Sequence, residues 1–370
     1  MSRTMRLHLT ALAMVFILNS VSNAFGNDRD SNNLIGYIDI DGKVIIEPAF
    51  ILANDFSEGL AGVVPKDSEL AGIIDVNGRI LVSPRFKAIG RFSQGLAPAA
   101  DKLGRFGFIN REGAFVIAPQ FVAAFEFNEG LAEVEVTVDR EKGVGKRGFI
   151  DLSGKFAVGP QFDSVGRFSE GRAIVMRDNR FNYVDKQGRL LLAEWVDSAA
   201  GDFADNRGPI STNEKWGFID KEGNVAIPLR FDSATPFNNG HAMVALNKGK
   251  EHRIIDTTGR FSTSRTFSTS AHFHEGLTFL PEGCIDTQGR TVIKSEKLAS
   301  IENHPEFHEG LAAVQIKGRY GYINKSGDLI IKPQPSFVQA GHFSSGRARI
   351  ATGRNMLWIE AEVSKRKNSE

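Results

Sequence analysis

Histidine is the residue type most unevenly placed along this chain. His8 stands near the start, and the other seven (His241, His252, His272, His274, His304, His308 and His342) all lie from residue 241 onward. Four of them flank a phenylalanine at matching positions: His272 and His342 precede Phe273 and Phe343, while His274 and His308 follow Phe273 and Phe307. Imidazoles gathered with carboxylates such as Glu275, Glu306 and Glu309 are the donor set of a zinc or copper site, or of a surface that changes charge near neutral pH. These four histidines form the candidate binding rim. The same slots hold Asp55, Arg91, Ser57 and Ser93 earlier in the chain, so polar variation at exposed corners is the simpler reading, and no metal ligand set is assigned.

The second candidate chemistry is a series of acids, Asp39, Asp75, Asp151, Asp185, Asp220, Asp256 and Asp286. Each is followed three residues later by glycine, as are Asn110 and Asn324. An Asp side chain accepts bonds from nearby backbone amides and a glycine supplies positive φ, so Asp39 with Gly42, Asp75 with Gly78, Asp151 with Gly154, and Asp220 with Gly223 read as structural turns. The run Asp39-x-Asp41-Gly42 is too short to be a calcium loop. There is no glycine-rich phosphate loop, serine elbow, His-Glu-x-x-His helix or paired-cysteine metal signature, and no cofactor is called for. Acids outside the pattern, such as Glu194 and Asp202, have no evident pairing, so catalytic residues are not assigned. Cys284 is the single cysteine and cannot form an internal disulfide. It takes the place of an aromatic and reads as a small buried hydrophobe. Trp195, Trp216 and Trp358 read as packing residues rather than a sugar-stacking platform.

The elements that must position these groups repeat. A Gly-aromatic-Ile-Asp-x-x-Gly fragment recurs nine times with variations, at Gly36-Tyr37-Ile38-Asp39, Gly107-Phe108-Ile109-Asn110 and Gly217-Phe218-Ile219-Asp220 among others, its turn glycines 30 to 41 residues apart. A Pro-x-Phe step follows in several units, as in Pro48-Ala49-Phe50, and then Phe-x-x-Gly, as in Phe56 to Gly59. The flanks, such as Val44-Ile45-Ile46 and Phe115-Val116-Ile117, are β-branched or aromatic and too short for helices. Runs such as Leu131-Ala132-Glu133-Val134 are expected to alternate inward and outward, and proline is expected to end a strand. The fold class is therefore all-β, a repeat protein of about nine four-stranded units of roughly 35 residues. Propeller-like blades are the expectation, with an open β-solenoid as the alternative. The chain ends favour a ring: the first unit lacks a Leu-Ala-x-Val strand, and a surplus one, Arg347-Ala348-Arg349-Ile350, closes the chain and can complete it.

The pattern resembles the bacterial WG-repeat family, whose unit runs Trp-Gly-Tyr-Ile-Asp-x-x-Gly, then Pro, then Phe-x-Glu-Gly-Leu-Ala. Lys215-Trp216-Gly217-Phe218-Ile219-Asp220 and Phe307-His308-Glu309-Gly310-Leu311-Ala312 are the best copies. The tryptophan survives only at Trp216, with Phe106 and Tyr320 in its place elsewhere. The resemblance implies no defined activity and no catalytic residue.

Residues 1–24 have the layout of a secretory signal: Arg3 and Arg6, an apolar stretch from Leu9 to Leu18, then Ser22-Asn23-Ala24. A short linker, 25–33, the repeat domain, 34–360, and a polar tail, 361–370, follow. The expected location is periplasmic or secreted, with no membrane span after signal removal. Without Arg3 and Arg6 the balance is 43 basic against 44 acidic residues, which provides no field for nucleic acid. The expected function is that of a non-enzymatic exported binding protein whose partner is a protein or glycan of the cell envelope. A propeller-type hydrolase acting on a glycan and a structural spacer are the alternatives, and the oligomeric state is open.

Overall fold

The computed structural model describes residues 33–139, 144–303 and 305–353. The signal-like segment 1–24, the linker up to residue 32, His304, Trp358 and the tail 361–370 lie outside the described residues.

The repeat folds as a sheet of its own. Ala123–Asn128, Leu131–Asp139, Val144–Asp151 and Phe156–Phe162 pair antiparallel in sequence order, as do Ser198–Ala199, Gly208–Thr212, Lys215–Ile219 and Val225–Phe231. Ladder bonds run within a repeat rather than from one repeat's strand onto the same strand of the next. This makes the units propeller-type blades. Other sheets keep three strands, such as Ser164–Val165, Arg172–Arg177 and Arg180–Asp185. The single helix among the described residues is the one-turn segment Ser295–Leu298.

The blades fall into two compact units, residues 1–123 with 300–370, and residues 124–299. In the first, the first and last described strands meet. Asn33–Ile38 pairs antiparallel with Arg347–Gly353 from Asn33↔Gly353 to Ile38↔Ala348, which hides two strand edges at once. The resulting seven-stranded sheet continues through Val44–Ala53, because Phe50 pairs with Ile35 on one side and with Pro65 on the other. Arg349, 4% exposed, sits at this junction. Its Nε donates to Asp55 Oδ1 at 2.5 Å and its Nη1 to the Ala53 carbonyl at 2.8 Å.

The glycine before the aromatic decides where the outer strand goes. Between the pairs Phe106↔Phe121 and Phe108↔Ile117 the outer strand bulges, so that residues 118–120 lie opposite Gly107 alone. A Cβ on Gly107 would meet the Ile117 carbonyl oxygen at 2.4 Å and the Pro119 nitrogen at 2.8 Å. Gly36, Gly72, Gly148, Gly217 and Gly321 face the equivalent carbonyl at 2.4 or 2.5 Å. Proline thus sits inside the outer strand, as in Ile80–Phe86 and Phe115–Phe121, not at its end as expected. The bulge removes the need for its missing N–H. Where a side chain replaces this glycine, the outer strand is lost. Asn182 takes over with its amide, donating to Leu192 O at 2.9 Å and accepting from Leu192 N at 3.0 Å. Only the isolated bridges Phe181↔Val196 and Val184↔Leu190 remain there. At Arg253 the guanidinium donates to Thr263 O and lies 3.8 Å from the centre of the Phe261 ring.

Strands in the middle of a blade are buried on both faces, Ala97–Ala100 and Phe106–Ile109 throughout their length. The expected inward-outward alternation fails because both faces of these strands are covered. The aromatic after the glycine meets the corner phenylalanine of the next blade: Tyr37 with Phe56 at 4.7 Å, Phe149 with Phe168 at 4.6 Å, Tyr322 with Phe343 at 4.9 Å. Where the aromatic is tyrosine its hydroxyl donates onward, Tyr37 to Asn54 O at 2.6 Å and Tyr322 to Gly341 O at 2.8 Å.

Substituting Gly107 by Ala forces strand backbone to move and is expected to lower unfolding free energy by roughly 3 kcal/mol, the upper end of overpacking costs. Gly95→Ala, at φ +81° with nothing within 4 Å of the added Cβ, is expected to cost about 1 kcal/mol through backbone strain alone. Urea unfolding of both variants measures the difference, and equal costs refute the role assigned to the bulge.

Candidate functional site

In an up-and-down meander the first and third turns of a blade share one end, so both motif turns build one rim. The first is a two-residue hairpin turn. Glu58 and Gly59 have φ of 52° and 76°, and Ser57 and Leu60 exchange backbone bonds of 2.9 and 3.0 Å, the arrangement of a type I′ turn. The second is the Asp-x-x-Gly turn. Asp39 Oδ1 accepts from the amides of Asp41 and Lys43 at 3.1 and 2.9 Å, with Gly42 at φ 80°. Asp75 does the same with Asn77 and Arg79, beside Gly78, and Asp220 with Glu222 and Asn224, beside Gly223. Asp151, beside Gly154, also accepts from the Ser153 hydroxyl at 2.6 Å. That bond, with the amides of Lys155 and Ser153, outweighs a desolvation effect and holds the Asp151 carboxyl below its ordinary value. These acids are occupied by their own turns and do not form a ring of free carboxylates. Asp101, which the repeat pattern did not single out, builds the same turn at the opposite end of its blade, accepting from Leu103 and Arg105 at 2.9 Å each.

The rim turns are fastened to one another. Glu129 accepts from the Glu170 and Gly171 amides at 2.6 and 2.8 Å, Glu170 from Asn206 N at 2.8 Å, and Asp205 from Gly240 N at 2.8 Å. In the other unit Glu309 accepts from Ser345 and Gly346 at 2.7 and 2.9 Å. The Ser344 hydroxyl donates to Phe56 O at 2.6 Å, and Arg347 to Val76 O at 3.0 Å. The glutamate of the Glu-Gly turn is thus a joint between blades.

Two of the rim histidines meet. The rings of His308 and His342, on the strands Phe307–His308 and Phe337–Ser344, lie 4.1 Å apart centre to centre and tilted by 39°. His308 Nε2 is 3.8 Å from Glu306 Oε2. His342 keeps solvent contact, but crowding by its surroundings, together with the His308 ring, holds its imidazole below the ordinary histidine value. Glu306 and Asp55 act in the opposite sense. His272 and His274 belong to the other unit. His272 is exposed, and the backbone of half-buried His274 closes the Glu275-Gly276 turn with Leu277 at 2.8 and 3.0 Å. His252 is buried in a bridge to Phe267.

A charged cluster escaped the sequence pattern. Arg147 donates to Glu133 at 2.7 Å and to Glu135 at 3.1 Å, and its guanidinium lies 5.7 Å from the Phe125 ring. Both carboxylate side chains are close to one-tenth exposed. The only signal in sequence was charge at two alternate positions of a strand whose other units carry Gly62 and Val64 or Pro98 and Ala100 there. Cys284 is buried and free, and burial, with some contribution from Asp286, pushes its thiol up to about 12, which removes it as a nucleophile.

The blades, their bulge glycines and their paired turns define a repeat protein of all-β, propeller-type units. Residues 35–67, 72–100, 106–137, 148–181, 216–250, 283–320 and 320–353 match the WG containing repeat, and the chain belongs to that family. The stretches left out contain Asn182 and Arg253, the positions where the bulge glycine is missing. No curated protein is similar in sequence. Among solved structures, BamB from Moraxella catarrhalis aligns over 86% of this chain and 99% of its own, at 10% identity and TM-score 0.34. A structure titled eukaryotic initiation factor aligns over 80% and 94%, at 12% identity and TM-score 0.48. Virginiamycin B lyase from Staphylococcus aureus aligns over 86% and 99%, at 10% identity and TM-score 0.31.

Desolvation pushes the Glu133 carboxyl up to about 7, with Arg147 opposing it. A raised value means that the folded protein binds the proton more tightly than the unfolded chain. The contribution is therefore complete below about 4.5 and lost as pH rises through 7. Relative to wild type, Glu133→Gln is expected to gain stability between pH 5 and pH 8, by up to roughly 3 kcal/mol. Urea unfolding at both pH values measures this, and a pH-independent difference refutes it.

Proposed function

We propose that this is a non-enzymatic binding protein, exported from a bacterial cell, whose rim engages a protein or glycan of the envelope. One observation carries the reading. The corner phenylalanine is buried blade after blade (Phe56, Phe92, Phe127, Phe168, Phe203, Phe237, Phe273, Phe307 and Phe343). The residue immediately before it changes from Asp55 to Arg91, Glu126, Arg167, Asp202, Pro236, His272, Glu306 and His342, none of them buried. A fixed frame with a variable, mixed-charge row of side chains suits recognition, since specificity can change without touching the core. No helix of the described residues is long and apolar enough to cross a membrane.

Export rests on the signal-like segment 1–24. Expression of the full chain in a bacterial host is expected to yield protein beginning at Phe25 outside the cytoplasm. N-terminal sequencing of fractionated cells tests this, and intact cytoplasmic chain overturns export.

Binding is tested by immobilising the protein, passing envelope extract over it, and identifying retained material by mass spectrometry. The expected result is one enriched protein or glycan, with capture reduced at least tenfold when His272, His274, His308 and His342 all become Ala. Absence of any enriched component, with turnover of a glycan library by the same sample, replaces the binding reading with the hydrolase.

A further inference from the structure

We propose that Glu306, His308 and His342 form a site for a divalent transition-metal ion, zinc(II) or copper(II), at the junction of the last two blades in chain order. This assignment is independent of the binding partner. Two imidazoles and one carboxylate are a donor set that these ions favour over magnesium or calcium. His308 Nε2 and Glu306 Oε2 are already 3.8 Å apart, a separation that a shared ion closes slightly. The His342 ring lies over His308, 4.1 Å centre to centre. The two rings come from separate strands, Phe307–His308 and Phe337–Ser344, so this corner brings imidazoles of neighbouring blades into contact. The His308 and Glu306 side chains are 38% and 47% exposed, while the His308 Nε2 atom itself is covered.

The surrounding charge accommodates a cation. Arg349 is the cation facing His342, and it is held by Asp55 at 2.5 Å. The carboxylates of Asp55 and Glu306 both favour positive charge at His342. Coordination would replace the ring stack by a bond through the ion between adjacent blades. Bound ion therefore stabilises the folded state as well as occupying the rim.

The test uses tag-free protein, stripped with chelator and titrated with zinc chloride at pH 7.5 by calorimetry. One saturable site is expected, weakened at least tenfold in Glu306→Gln, His308→Ala and His342→Ala. It should be unchanged in His241→Ala, whose ring is bonded to Asn239 O in the other unit. Paramagnetic resonance of copper(II) on the unsubstituted protein supplies a readout independent of any variant's folding. Two coordinated imidazole nitrogens are expected, falling to one in His342→Ala. Zinc affinity unaffected by either histidine substitution, or a single coordinated nitrogen in the unsubstituted protein, overturns the proposal.

Discussion

A β-carbon that cannot be present governs this structure. The third strand of a blade carries a glycine across which the outer strand's backbone bulges, and at Gly107 an added Cβ would stand 2.4 Å from a carbonyl oxygen. The bulge absorbs the proline that would otherwise break the ladder and turns the phenylalanine two residues later back into the core, where Phe121 is buried. Asn182 and Arg253 show the same constraint from the other side. With a side chain in that position the outer strand no longer pairs as a ladder, and the side chain itself makes the bonds to the departing segment.

Blades built this way have two buried faces and must find neighbours on both. Aromatic pairs supply the contact, tilted or edge-on at 4.6 to 4.9 Å, geometries that the ring quadrupole favours. Rim carboxylates, Glu129, Glu170, Asp205 and Glu309, then add directional bonds from one turn to the next. In the first and last described strands the same logic runs through Arg347–Gly353 beside Asn33–Ile38. The buried Arg349 is paired there with Asp55, and removing one partner of such a pair typically costs several kcal/mol.

The positions before the corner phenylalanines vary from blade to blade, polar at all but Pro236, and this variation suits a recognition role. Two members of the row, Glu306 and His342, lie close to His308, which follows its phenylalanine. The hydrolase alternative asked for acids outside the repeat pattern. The clearest such acids, Glu133 and Glu135, share Arg147 within one sheet and are largely buried, which suits a packing role.

The all-β class, the repeat and the family were legible in sequence, because each rests on local chemistry: Asp-x-x-Gly caps its own turn, glycine adopts positive φ without strain, and β-branched flanks favour extended chain. The surplus strand at Arg347-Ala348-Arg349-Ile350 was legible too, since an unpaired edge needs a partner. Other features depended on which surfaces face each other across long separations in the chain. Pro48 and Pro84 lie within strands because a glycine on the neighbouring strand makes room. Glu133 is enclosed because it lies on the sheet face of Phe149, which packs on Phe168 of the next blade. His308 and His342, 34 positions apart, stack because consecutive blades present the same corner side by side. A one-dimensional pattern specifies each blade's own bonds, whereas close packing between blades decides which side chains lose water and which ones meet.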